Sequence, residues 1–375
     1  MSLFTRNRRP FRDREGEAMV EQLLIAWTRA CEGAELVRTV DTVTGPTVIP
    51  PKLVDITLGP PTVLIAELQP GMIPADVVAL GPRIAPHMNA YGIRVEPIGH
   101  RHVRVTLIAD DPLDTLVELR AGRGVLLGAD EAGAAIRTEP ADLPHAIVQG
   151  TTRSGKSVWT YSLLAQLVAR DDVLIAGCDP TGLLFRPFAA TRHNEWQSSG
   201  LADVDAHEKA LRRVVEAMDD RIRELPDDRD TLDVTPARPL LVVVLEEYPG
   251  LLRVLDAGKS RGDDPGARVR ALVSRLLAEG HKAGIRVVIL AQRAEASVVG
   301  ALERAQCSLR ISFRVDSRTS CELLHPGTDP AIADAHTTAL PGVALMSRPG
   351  HNLTRFRAPF LGGYREYVHA IRDAS

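Results

Sequence analysis

Cysteine, net positive charge and long apolar runs are all scarce in this 375-residue chain, and each scarcity narrows its function. The four cysteines, Cys31, Cys178, Cys307 and Cys321, lie far apart with no C-x-x-C pair. They read as reduced, buried thiols, which argues against a disulfide framework and against a metal held by protein side chains alone. Basic residues are not in excess: 45 Lys and Arg stand against 48 Asp and Glu, for a formal net charge of −3. Any contact with a polyanion must therefore come from local patches. No stretch approaches the roughly 18 apolar residues that a membrane span needs. The Arg-rich start (Arg6, Arg8, Arg9, Arg12, Arg14) runs into polar residues, so it is not a secretory signal. Internal repeats and low-complexity blocks are missing too. What remains is an ordinary globular composition, 45% hydrophobic and 25% charged, long enough for two domains. A cytoplasmic location is expected, with any membrane association supplied by a partner.

One motif stands out from this background. Gly150-Thr151-Thr152-Arg153-Ser154-Gly155-Lys156-Ser157 fits G-x-x-x-x-G-K-[ST], the phosphate-binding loop of nucleoside triphosphatases. The glycines let the backbone curl so that successive N–H groups point at phosphate oxygens. Lys156 is placed to reach the β- and γ-phosphates, and the Ser157 hydroxyl to ligate Mg²⁺. A short apolar strand, Ala146–Gln149, precedes the loop, and a helix over 157–170 follows with its positive dipole end toward the nucleotide. A structural glycine turn is the alternative, but the flanks argue for ATP.

The rest of the chain alternates. Residues 17–31 carry Val20, Leu23, Leu24 and Trp27 at helical spacing, a stripe that suits core packing better than a partner site. Val63–Glu67 and Val103–Ile108 read as strands, and Ile73–Ala90 as a helix, so residues 35–124 form a small α+β subdomain ending in a linker at 121–124. Beyond 125, strands at 146–149, 173–178, 240–245, 287–290 and 309–315 alternate with helices at 157–170, 205–224 and 266–283. That order predicts an α/β core with a mainly parallel sheet. The Gly/Asp-rich stretch 257–266 is expected to be a mobile loop.

The apolar run Leu240–Leu245 ends in Glu246-Glu247, at the strand tip where open α/β sheets bind ligands. Glu246 would hold Mg²⁺, and Glu247 would act as general base on the attacking water. Asp is usual at the first position, and the extra methylene of Glu lengthens the reach. Two solvated glutamates are the alternative. Gln292, ending another apolar strand, can sense the γ-phosphate. Arg310, Arg314 and Arg318 lie on or just after the strand at 309–315. Any of them could be offered to a neighbour's γ-phosphate, or be an ordinary surface or ion-paired arginine.

Several segments follow one another in a telling order: "LPHAIVQGTTRSGKS" (143–157), "CDPTG" (178–182), "LVVVLEEYPGLL" (241–252), "HKAGIRVVILAQR" (281–293), "LRISFRVDSRTS" (309–320), "LPGVALMSRPG" (340–350) and "RFRAPFL" (355–361). Together they resemble the motor of the FtsK/SpoIIIE family of DNA translocases. The preceding module, with "IRVEPI" (93–98) and "LLGADEAG" (126–133), is similar to that family's adjoining subdomain.

The resemblance implies a RecA-like P-loop core, with a leader and amphipathic helix at 1–34, the subdomain at 35–124, the motor at 125–365 and a tail at 366–375. It further implies an ATP- and Mg²⁺-dependent homo-oligomeric ring, commonly a hexamer, that pumps double-stranded DNA. By motif matching, Arg310 would be the trans-acting arginine, while Arg318 and Arg348 would touch DNA phosphates in the pore. Such contacts are electrostatic and blind to sequence. Arg153 departs from the family's usual Gly, Glu246 from its Asp, and Ala291 from its frequent Thr. With no membrane anchor before the motor and no winged-helix reader after it, the chain resembles the compact transfer proteins of actinobacterial plasmids and integrative elements. A membrane-anchored or mobile-element partner protein is then a further expected partner. A secretion-type ATPase that moves protein, and a weakly hydrolysing nucleotide-binding assembly factor, are the competing classes.

Overall fold

The computed structural model describes residues 14–43, 45–120, 122–293 and 300–374. The arginines at 6, 8, 9 and 12, the leader at 1–13 and Ala121 of the expected linker lie outside them. Contacts divide the chain into two units, Met1–Pro112 and Leu113–Ser375.

In the first unit, α1 (Arg14–Gly33) is longer than expected and buries Trp27, Ala30 and Cys31. The Trp27 indole donates to the Pro51 carbonyl at 2.8 Å. The expected leader helix is thus part of this unit's core and not a separate segment. A hairpin of β1 (Arg38–Thr42) and β2 (Gly45–Ile49) follows. Then β3 (Lys52–Thr57), β4 (Val63–Glu67), β5 (Gly92–Ile98) and β6 (His102–Ile108) form an antiparallel sheet in the order β3-β4-β6-β5. Alternate residues Leu64 and Ala66 of β4, and Val103 and Val105 of β6, face the helices, the period of a half-buried strand. Helix α2 (Pro74–Ile84) stops short of the expected Ala90, and Ala85–Met88 tightens into a 3₁₀ turn. Pro86 has no N–H to donate back into the helix, which ends the α ladder there.

The second unit starts earlier than the expected 125. Its β7 (Val117–Glu118) pairs with β18 (Pro359–Phe360), and Arg357 donates to the Leu113 carbonyl at 3.0 Å. Ten further strands form one sheet: β8 (Val125–Asp130), β9 (Ala135–Thr138), β10 (Ala146–Gln149), β11 (Val173–Asp179), β12 (Gln197–Ser199), β13 (Leu240–Leu245), β14 (Ile285–Ala291), β15 (Leu309–Phe313), β16 (Val343–Ser347) and β17 (Thr354–Arg357). Their order is β12-β11-β13-β14-β10-β15-β16-β17-β8-β9. The first six are parallel, as expected, whereas the pairings from β15 onward are antiparallel.

Helices cover both faces of this sheet. Leu240, Val242 and Val244 of β13 point to one core with α3 (Lys156–Val168) and α10 (Tyr364–Asp373). Leu241, Val243 and Leu245 point to the other, with α4 (Asp205–Arg223), α5 (Tyr248–Ala257) and α6 (Pro265–Glu279). Burial on both faces is why β13 is a continuous apolar run. The short helices α7 (Ala301–Gln306), α8 (Arg318–Leu324) and α9 (Pro330–His336) flank β15 and β16 in sequence. Two expectations change. Residues 366–373 are no tail, because Tyr367 and Ile371 are fully buried. The stretch expected to be mobile is a tight turn, with a backbone bridge between Ser260 and Asp263 and a Lys259–Asp264 ion pair at 2.5 Å. Among the described residues no helix is long and apolar enough to cross a membrane.

Candidate nucleotide site

Four parallel strands deliver the candidate residues at their C-terminal ends: Gly150 follows β10, Thr181 follows β11, Glu246 follows β13 and Gln292 follows β14. The loop between β10 and α3 is held by backbone bonds from its neighbours. Gly150 N–H donates to the Gln292 carbonyl at 3.3 Å, Thr151 N–H to that of Arg314 at 2.9 Å, and Gly342 N–H to that of Ser154 at 2.8 Å. Below the loop, Gln149 Nε2 donates to Ser312 Oγ at 2.6 Å and to the Ser320 carbonyl at 2.8 Å.

Both loop glycines are sterically required. A Cβ on Gly150 would stand 2.7 Å from the Phe313 Cβ, and one on Gly155, whose φ is +107°, would stand 2.6 Å from the Gly342 nitrogen. Arg153 also adopts a left-handed conformation, φ +61°. This is the physical content of its departure from glycine: the position favours a residue without a Cβ.

The loop residues 150–157, with Val158, Thr181, Glu246, Glu247 and Gln292, line a cavity of about 280 Å³. The structure therefore brings together every residue expected at the nucleotide. Lys156, 9% exposed, lies with its Nζ 3.5 Å from Glu247 Oε2. Glu247 is the left-handed N-cap of α5, at φ +43°, a sharp corner that turns its side chain away from the strand. Burial pushes the Glu246 carboxyl up to about 7; Lys156 opposes this, and the Asp179 and Glu247 charges add to it.

Ser157 is exposed at the first turn of α3, and Ser154 Oγ is buried without a partner among the described residues. Together with the desolvated Glu246 these are hard oxygen donors, the set that Mg²⁺ takes alongside phosphate oxygens and water. Asp179 is not available as a further ligand. Its Oδ1 accepts from Thr181 N–H, Thr181 Oγ1–H and Gly182 N–H at 2.7–3.0 Å, and its Oδ2 from Phe185 N–H at 3.1 Å. Those bonds fold the segment after β11 so that Thr181 faces the cavity. Tyr364 and Tyr367 of α10 donate to the carbonyls of Leu183 and Leu184, bracing the same segment. Thr181 was not foreseen as a site residue; the "CDPTG" segment was its only signal.

The expected arginines lie elsewhere. Arg310 lines neither this cavity nor the larger one beside it. Its guanidinium donates to the carbonyls of Arg304 at 2.9 Å, Cys307 at 3.1 Å and Leu324 at 3.3 Å, ending α7 and α8. A residue expected to reach a neighbouring subunit is thus engaged within its own chain. Arg318, at the start of α8, grips Asp334 of α9 through two nitrogens. Arg348 follows β16, with its Nε buried and unpartnered among the described residues.

A parallel sheet carrying a glycine-pinned phosphate loop, a glutamate pair and a glutamine at its C-terminal edge defines a P-loop ATPase with a RecA-like α/β core. The FtsK/SpoIIIE family model matches residues 120–238, so the chain carries a domain of that family. The DNA translocase FtsK of Vibrio vulnificus is 24% identical over 301 residues, covering 68% of this chain and 29% of that protein. The DNA translocase FtsK of Brucella melitensis biotype 1 is 25% identical over 386 residues, covering 84% of this chain and 45% of that protein. The chain thus spans less than half the length of either relative. Among solved structures, the pCW3 conjugation coupling protein TcpA, in monomer form with ATPγS, superposes with a TM-score of 0.55 at 17% identity, covering 93% of this chain and 99% of that one. The cytoplasmic domain of the Thermomonospora curvata type VII secretion ATPase EccC follows at 0.51 and 20%, covering 70% and 33%. At these identities the two structures speak to the fold.

Proposed function

We propose that this chain is an ATP-driven translocase of double-stranded DNA, working as a homo-oligomeric, hexameric ring in conjugative or mobile-element transfer. The observation that supports it most is the single cavity in which the phosphate loop, Glu246, Glu247 and Gln292 converge. In this reading Lys156 leaves Glu247 for the β- and γ-phosphates when ATP binds. The freed Glu247 carboxylate then accepts a proton from the attacking water, and Gln292 orients the γ-phosphate. Ser157 and Glu246 would hold Mg²⁺, which neutralises phosphate charge when bound. Arg318 and Arg348 would meet DNA phosphates without reading sequence.

The test is ATP turnover by the full chain with and without double-stranded DNA. Stimulation by DNA that weakens steeply with salt supports a DNA motor. Turnover that DNA leaves unchanged overturns the DNA reading. A nucleotide-dependent assembly factor with little turnover is the second reading. It is favoured by the engagement of Arg310 within its own chain.

A further inference from the structure

Beside the phosphate cavity lies a larger one of about 500 Å³, lined by Thr151, Thr152, Glu247, Gln292, Arg253 and Arg293, with Pro249 and Asp316. Thr151, Thr152, Glu247 and Gln292 line both cavities, so the larger one adjoins the residues assigned to the γ-phosphate in the ATPase reading above. Its charges are not equally engaged. Glu247 is met by Lys156 at 3.5 Å, and Arg293 is ion-paired with Asp316. Arg253 has no comparable ion pair among the described residues.

Arg253 is exposed on α5, six residues after Glu247. Its side chain runs back toward the start of the helix, the usual direction for long side chains on helices. A Cβ built on Gly250 would stand 3.1 Å from Glu247 Cγ and 3.9 Å from Arg253 Nη2. The bare backbone of Gly250 therefore separates the carboxylate from the guanidinium and leaves the space between them open. A guanidinium facing a phosphate loop across an open cavity, beside a carboxylate, suits a transferring phosphoryl group.

We propose that Arg253 is a further catalytic residue, the cation that contacts the γ-phosphoryl group from within the same chain. The inference rests on the ATPase reading above. As water oxygen bonds to the γ-phosphorus, the bond from that phosphorus to the β–γ bridging oxygen breaks, and ADP leaves with the electron pair. The water proton passes to Glu247, while Arg253 donates hydrogen bonds to the γ-oxygens, where charge accumulates. This is the task for which Arg310 was the expected candidate, although Arg310 is held by three carbonyls of its own chain.

The experiment uses the full chain carrying Arg253→Ala or Arg253→Lys and compares turnover with affinity for ATPγS and for ADP with aluminium fluoride. For Arg253→Ala, turnover should fall by roughly a hundredfold or more, since a transition-state arginine is worth at least that much. Affinity for ADP with aluminium fluoride should fall alongside it, while ATPγS affinity stays within about threefold. Arg253→Lys should recover part of the loss, because it keeps the charge without the planar fork. Three results would overturn the proposal: turnover within about twofold of the parent, equal losses for both ligands, or recovery on mixing Arg253→Ala with Glu247→Gln chains. The last would mean that the arginine serves a neighbour's site. Normal turnover in Lys156→Ala would instead sink the ATPase reading itself, so the two failures are distinguishable.

Discussion

The phosphate loop and the arginine-rich segment from 304 to 348 are both dense in charge, yet the fold treats them differently. Around the loop, Lys156, Glu246 and Glu247 are held by backbone corners and face an open cavity. In the other segment, Arg310 is bound to three carbonyls and Arg318 to Asp334. The difference is one of mechanism. A loop motif sets its own backbone path, so residue order already dictates where its side chains go. An arginine is long and flexible, and its partner is chosen by whatever the tertiary structure brings within reach. The variants that separate these two kinds of charge also rank by size of effect.

The largest effect belongs to the loop. Lys156→Ala should lower turnover by roughly a thousandfold, through loss of contacts that exist only once phosphate is bound. Glu247→Gln should bind ATP and trap it, which a filter-binding chase reads directly. If Glu247→Gln hydrolyses at the parental rate, Glu247 is not the base, and the loop loses its distinction from the arginine segment.

Arg310→Ala comes next and discriminates between the two regions. As an internal strut, its loss leaves three carbonyls without their donor and should destabilise the chain by about 2–4 kcal/mol. Thermal denaturation of non-assembled protein measures this. An unchanged melting temperature with turnover lost only in assembled rings would return Arg310 to a role between subunits.

How far the sequence reached follows the same division. The loop, the glutamate pair and Gln292 were legible because each sits at the end of a short apolar run whose burial dictates a strand. The start of the second unit was not, because Leu113 and β7 find their partners in Arg357 and β18, far along the chain. The last helix reads as a tail in sequence because its apolar and polar residues are equal in number and form no continuous run, and only packing reveals Tyr367 and Ile371 as core. Thr181 depends on the turn that Asp179 builds, and Arg253 on the gap at Gly250. Both are properties of space and not of residue order.

A smaller effect comes from Glu246, whose folded carboxyl titrates near 7, above the usual glutamate range, chiefly through burial. The folded chain then binds this proton more readily than the unfolded chain does. Glu246 therefore favours unfolding above pH 7, and this penalty is relieved as pH falls from 7 to about 4.5. Without nucleotide or Mg²⁺, the parent should gain about 1–3 kcal/mol over that window relative to Glu246→Gln, after allowance for partial solvent screening. Denaturant midpoints at several pH values check it. A parent and variant that track each other would place Glu246 in solvent, like the paired arginines.

The smallest effect tests the loop against itself, at Arg153. Its φ of +61° puts a branched-free but Cβ-bearing side chain in the left-handed region, at a cost of about 1–2 kcal/mol. Arg153→Gly removes that strain but adds freedom to the unfolded chain, worth about 0.5–1 kcal/mol in the other direction. The net expectation is a gain of about 0.5–1 kcal/mol, seen as a small rise in melting temperature. Nucleotide affinity separates what the charge does from what the backbone does. Arg153 is exposed at the cavity rim, so a charge that reaches phosphate weakens ATP binding in Arg153→Gly and preserves it in Arg153→Lys. If both variants bind ATP like the parent, the arginine faces away from the nucleotide and its strain is unconnected with phosphate binding. One residue of the loop would then behave like the arginines of the other region, its direction set by surroundings and not by the motif.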